Sequence, residues 1–150
     1  MTRHAFITNR PQQPRALNVL GEAITVLASG EDTGGYEVFR QEGQAGQGPP
    51  PHAHDWDETF CVVAGEVEVA AGDHTALVKP GGIAHVPAGT LHWFRFVTDG
   101  AMISITSRLG ASTFFTDVDR QVPAGPPDIE KVAAVATAHG LRIELPPAAE

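Results

Sequence analysis

Glycine- and proline-containing turns interrupt this chain so often that no long helix can form through most of it, and this punctuation is its strongest constraint on fold. Sixteen glycines and twelve prolines stand in 150 residues. Between them lie short runs rich in β-branched and apolar residues: Leu17 to Leu20, Ala23 to Ala28, Tyr36 to Arg40, Glu58 to Val63, His74 to Val78, Ile83 to Val86, Leu91 to Val97 and Ala101 to Thr106. Glu66-Val67-Glu68-Val69-Ala70 alternates charge with valine, the period-two pattern of a strand with one face in water. Turns are expected at Ser29 to Gly35, Ala64-Gly65, Ala71 to Asp73, Lys79 to Gly82, Pro87 to Thr90 and Thr98 to Gly100. Strands at such regular spacing predict an all-β sandwich or small barrel. A chain of this length forms one domain that buries roughly 70% of its unfolded surface.

The two ends read differently. Residues 1–16, with Pro11, Pro14 and paired glutamines, break any periodicity and are expected to be an arm, with the barrel over 17–120 and a tail over 121–150. Ser107 to Arg120 reads as irregular, its Phe114-Phe115 pair sealing one end. In the tail, Ile129, Val132, Ala133 and Ala136 recur at helical spacing, with Asp128 after Pro126-Pro127 as N-cap and Gly140 as terminator, predicting one short helix.

Charge and composition exclude several roles. The net charge is −8, and the ten Lys and Arg residues are scattered, so the clustered cations that phosphate recognition requires are missing and no nucleic-acid partner is expected. No run approaches the roughly 18 apolar residues of a membrane helix, and Met1 to Arg15 lacks the apolar segment of a secretory signal. The single cysteine, Cys61, excludes an internal disulfide. A soluble, cytoplasmic protein is expected.

Chemistry concentrates in His52-Ala53-His54-Asp55-Trp56-Asp57-Glu58. In an extended segment His52 and His54 point the same way about 6.6 Å apart, and Glu58 returns to their face if its run pairs with theirs. Pro49-Pro50-Pro51 stiffen the entry and keep it from being a fully paired central strand. A further histidine follows the Pro87-Ala88-Gly89-Thr90 turn, and alternation places His92, Phe94 and Phe96 on one face. If that face is interior, three imidazoles and a carboxylate sit among Phe60, Val62, Phe94 and Phe96, polar points in an apolar small-molecule pocket. Asp57 is a turn residue that can support a ligand histidine by hydrogen bonding. His74 and His85 carry no motif and are taken as structural, with His85 near the pocket edge.

These residues resemble both motifs of the cupin superfamily. Gly46, His52, His54, Glu58 and Gly65 match the first motif at every spacing, and Gly81, Pro87, Gly89 and His92 match the second, with Phe96 where an asparagine is frequent. The resemblance spans about Ile24 to Ile105. It implies a double-stranded β-helix, or jelly-roll barrel, here with a short C-terminal helix, binding one divalent metal through His52, His54, Glu58 and His92. The Pro-Pro-Pro-His-x-His entry and the tail also resemble monocupins of the quercetin 2,3-dioxygenase-like group, a wider set that includes polyketide cyclases.

Three imidazoles and one carboxylate suit iron, nickel, manganese, cobalt, copper or zinc. Two functional classes follow for an enzyme. One is a metal-dependent dioxygenase acting on a small enolic or aromatic, flavonol-like substrate, and the other is a non-redox cyclase or isomerase using the same ion, with Glu58 or a histidine moving the proton; burial that raises the Glu58 pKa would suit it as general base. A metal-containing binding module is the third class, since one fold hosts all of them. Apolar outward positions at Cys61, Val63 and Trp93 predict a homodimer.

Overall fold

The computed structural model describes residues 2–108, 110–126 and 128–144. Its strands are β1 (Leu17–Val19), β2 (Glu22–Ala28), β3 (Tyr36–Gly43), β4 (His52–Ala53), β5 (Glu58–Ala64), β6 (Val67–Ala71), β7 (His74–Val78), β8 (Ile83–Val86), β9 (His92–Phe96), β10 (Gly100–Ser107) and β11 (Arg142–Ile143). The helices are α1 (Gly30–Thr33), α2 (Ala111–Gln121) and α3 (Ile129–Ala138).

Two antiparallel sheets result, one ordered β1-β2-β3-β10-β5-β8 and the other β11-β4-β9-β6-β7. Alternation decides which side chains face inward. On β9, His92, Phe94 and Phe96 are buried; on β5, Glu58, Phe60 and Val62 are. The inner faces meet in a cluster that joins Phe60, Val62 and Met102 of the first sheet to Val67, Val69, Phe94 and Phe96 of the second. This is the jelly-roll architecture that the turn spacing and the two motifs imply.

A second apolar cluster covers the other end. Val19, Ile24 and Phe39 of the first sheet pack with Trp56, Phe114 and Val118, and with Val132, Val135 and Leu141 from the carboxyl-terminal segment. The expected seal by Phe114 and Phe115 is therefore present, but its form differs, because residues 111–121 are helical rather than irregular. No side chain caps that helix locally at Gly110. Glu37, buried on β3, accepts from the Ser112 N–H at 3.0 Å and, through its other oxygen, from the Gly30 N–H at 2.8 Å. One carboxylate thus anchors the starts of α1 and α2, a tertiary cap that a local reading of residues 107–120 does not reveal. Glu37→Leu is expected to cost about 2 kcal/mol, read as a lower midpoint in urea unfolding with little change in slope.

The tail helix forms where its spacing predicts it, with the Asp128 carboxylate accepting from Lys131 N–H at 3.2 Å. The preceding Pro127 lies outside the described residues, as do residues 145–150 of the tail. The Ser29–Gly35 turn holds α1, which ends at Gly34 with φ of +77°. The arm is tied to the body by Arg10–Glu42 and Arg15–Asp119 pairs, 2.6 and 2.7 Å long and largely exposed. Exposed pairs of this kind contribute little to stability. Cys61 and Val63 lie on β5 and Trp93 on β9, in different sheets. Among the described residues no helix is long and apolar enough to cross a membrane.

Candidate metal centre

β4 and β9 are neighbours, and their register sets His52 directly opposite His92, with ring centroids 4.2 Å apart. His54 follows two residues after His52. Glu58 arrives differently from the sequence expectation: β5 does not pair with β4 but belongs to the other sheet. The carboxylate therefore meets the histidines across the barrel, because the turn at 55–57 carries the chain from one sheet to the other.

One ligand-capable atom from each of His52, His54 and His92 lies within 4.8 Å of the others. Glu58 Oε1 is 3.3 Å from His54 Nε2 and 3.5 Å from His92 Nε2, and Glu58 Oε2 accepts from the Ser104 hydroxyl at 2.7 Å. His54, Glu58 and His92 are buried.

The imidazole orientations carry chemical information. Each Nδ1 stands within hydrogen-bond reach of a main-chain carbonyl: His52 of Pro50 at 2.9 Å, His54 of Trp56 at 2.9 Å and His92 of Thr90 at 2.8 Å. Carbonyls only accept, so Nδ1 carries the proton and, in a neutral ring, Nε2 presents a lone pair. Those lone pairs on His54 and His92 face a carboxylate oxygen, acceptor against acceptor, and His92 Nε2 is buried without a hydrogen-bond partner. A cation between them converts the repulsion into attraction and satisfies the orphaned nitrogen. The donor set thus fits a divalent metal, with backbone carbonyls fixing the tautomers as metal-ligating histidines require.

The electrostatics agree. Burial, followed by the neighbouring His92, pushes His52 down to about 4, so it is a neutral donor at physiological pH. Burial would raise the Glu58 carboxyl, but positive charge on its His54–His92 side, as those rings supply when their Nε2 atoms are protonated, outweighs that and holds it well below the usual carboxylate range. That direction runs against a Glu58 raised toward neutrality, the form a general base would need, and keeps its carboxylate ionised. The group that burial does raise is Glu22, 3% exposed, which goes up to about 8 through desolvation and then the charge of Glu58.

Neighbouring groups hold the ligands in place. The Trp56 indole stacks on His54 with planes 9° apart and centroids 4.3 Å apart. Gly89, at φ of +81°, closes the turn before His92 and donates its N–H to the His54 carbonyl at 2.7 Å, so the two motifs dock on one another. A Cβ at that φ would be strained. Asp57 does not reach a histidine; it accepts from Ala88 N–H at 2.8 Å and so braces the same turn. Trp56→Ala is expected to free the His54 ring and weaken binding of a divalent ion about tenfold, measured by competition with a chromophoric chelator.

The site opens on a cavity of about 60 Å³ between the sheets and the helices. Of the four expected pocket walls, Phe94 lines it. Phe60, Val62 and Phe96 pack instead in the core cluster beyond the histidines, because their inward direction carries them to the filled end of the barrel. The remaining apolar lining includes Phe114, Phe115, Val132 and Leu141 from the carboxyl-terminal segment. Glu22 and Gln41, both buried, line it too. Their signal in the sequence is parity, since Glu22 shares a face with Ile24 and Gln41 with Phe39. His74 and His85 are exposed and are not among the residues lining the cavity, His85 bonding Thr59 Oγ1 at 2.9 Å.

Comparison with known proteins places this geometry in context. Residues 39–106 match the family model described as "Cupin domain". A stretch of 76 residues is 34% identical to the quercetin 2,3-dioxygenase of Bacillus subtilis (strain 168), covering 49% of this chain but only 23% of that protein. Among solved structures, KdgF from Halomonas sp. superposes with a TM-score of 0.63 at 20% identity, covering 69% of this chain and 94% of that one. The polyketide cyclase RemF from Streptomyces resistomycificus superposes with a TM-score of 0.57 at 18% identity over 69% of this chain and 78% of that one. At those identities the two structures establish a shared fold.

Proposed function

We propose that this chain, a member of the cupin superfamily, is a metal-dependent enzyme that oxygenates a small enolic or phenolic compound. The observation that carries the proposal is the convergence of ring nitrogens from three histidines, with the Glu58 carboxylate 3.3 and 3.5 Å from two of them, beside a cavity whose lining is mostly apolar. The sequence likeness to a quercetin 2,3-dioxygenase supports the oxygenase class over the non-redox one.

His52, His54 and His92 through Nε2, and Glu58 through its carboxylate, would hold one ion. When bound, that ion supplies a Lewis acid that favours the deprotonated form of an enol or phenol. The protein's own groups do the rest. Main-chain carbonyls of Pro50, Trp56 and Thr90 keep the imidazoles preorganised, and Ser104 holds Glu58 by its second oxygen. Phe94, Phe114 and Phe115 exclude water and strengthen every polar interaction inside. The cavity is well below the roughly 300 Å³ of typical ligand sites, which favours compounds smaller than a flavonol.

Oxygen consumption by metal-loaded protein, measured against acetylacetone, catechol and a flavonol, tests this. Uptake coupled to product formation with one of the smaller compounds is expected. Turnover that continues under strict anaerobiosis, with zinc as effective as iron or nickel, would overturn the oxygenase assignment and favour the cyclase or isomerase class.

A further inference from the structure

Among the described residues the chain buries two acidic side chains on neighbouring strands of one sheet, besides the proposed ligand Glu58. Glu37 is 1% exposed and each of its oxygens accepts from a backbone N–H, so the fold explains it. Glu22 is 3% exposed, yet its Oε1 has no hydrogen-bond partner among the described residues. Burying a polar atom unpaired costs free energy that apolar residues at the same position would avoid, so the fold gives no reason for Glu22.

Its position supplies one. Glu22 opens β2, and its side chain lines the cavity that His52, His54 and Glu58 also line. The β2–β3 register pairs Ile24 with Gln41, which sets Gln41 diagonal to Glu22 on the same inward face. Gln41 lines the cavity as well. The rest of the lining beyond the histidines and Glu58 is apolar. A ligand with one oxygen on the metal side therefore meets, among apolar walls, one further pair of polar side chains.

We infer that Glu22, seconded by Gln41, is the specificity-determining anchor of the substrate, accepting a hydrogen bond from a second hydroxyl on a small dihydroxylated or hydroxy-enolic compound. This rests on the metal-dependent reading above and adds the substrate's second functional group to it. A carboxyl group accepts a hydrogen bond whether ionised or protonated, so the assignment is independent of its charge. A compound lacking that hydroxyl leaves the buried carboxyl unpaired and is rejected, since sites built this way discriminate strongly.

The test uses the metal-loaded full chain, with metal content measured for each protein, and follows binding of catechol, resorcinol and hydroquinone and of their monomethyl ethers by isothermal titration. In the wild type, at least one of the three diols is expected to bind about tenfold or more tightly than its ether. Glu22→Leu should abolish that preference by weakening the diol and not the ether, and Glu22→Gln, which keeps an acceptor of the same shape, should retain part of it. Thermal unfolding of both variants checks the fold, and the glutamine variant secures the test should the leucine variant be unstable. A preference that survives in Glu22→Leu with unchanged metal content, or a wild type that binds none of the diols, overturns the inference. Oxygen uptake is not the readout, so diol binding through Glu22 without oxygen consumption would sink the oxygenase proposal and leave this one standing.

Discussion

His92→Ala is expected to reduce affinity for a divalent ion by about 100-fold or more while leaving the barrel folded. The removed imidazole is one of three convergent Nε2 donors, and neighbouring groups that only orient such ligands already cost 10–100-fold when lost. Nothing nearby replaces it, because Phe94 and Phe60 flank His92 on the inner face. The fold should survive: the metal-free site sets Nε2 of His92 against Glu58 at 3.5 Å, so alanine relieves an acceptor–acceptor contact as it opens a small cavity. Competition with a chelator of known affinity and circular dichroism on the same samples separate the two effects. Loss of helix or strand signal along with the metal would mean that His92 is needed for folding itself.

The second large effect concerns pH. Glu22 goes up to about 8 in the folded chain from an ordinary 4.5, so between those values the native state holds a proton that the unfolded state releases. Stability therefore falls as pH rises through that window, and below it the group contributes nothing. At about 1.4 kcal/mol per unit, the full effect is at most about 5 kcal/mol above pH 8. Glu22→Gln removes the linkage. With a chelator present, the variant should match the wild type near pH 4.5 and exceed it progressively toward pH 9 in urea unfolding. A constant difference across that range would show that Glu22 is solvated or paired in solution.

Much of this was legible in the sequence, for reasons particular residues make clear. His52, His54 and His92 could be placed on common inner faces because strand parity is strict and the turns are marked by glycine and proline. The strand pairing was not legible: whether β5 joins β4 depends on the path of residues 55–57, and the real partners of β4 are β9, some forty residues on, and β11, some ninety residues on. Helix α2 escaped notice because its cap is a carboxylate 75 residues away. Glu22 was hidden because an acid beside a glycine turn reads as exposed, and only the packing of α2 and α3 over that end of the barrel encloses it. The depth at which Phe60, Val62 and Phe96 lie, in core rather than in cavity, likewise depends on how far the two sheets close on each other.

The proposed function and the substrate anchor both depend on three imidazoles and Glu58 holding one ion. X-ray absorption at the metal edge, on chelator-stripped protein reloaded with cobalt or nickel and measured beside its elemental content, tests it most directly. One ion per chain is expected, with the outer-shell scattering of about three imidazoles and a remaining oxygen contribution that changes in Glu58→Gln. A protein that takes up no stoichiometric metal, or whose ion shows no imidazole scattering, would contradict the account.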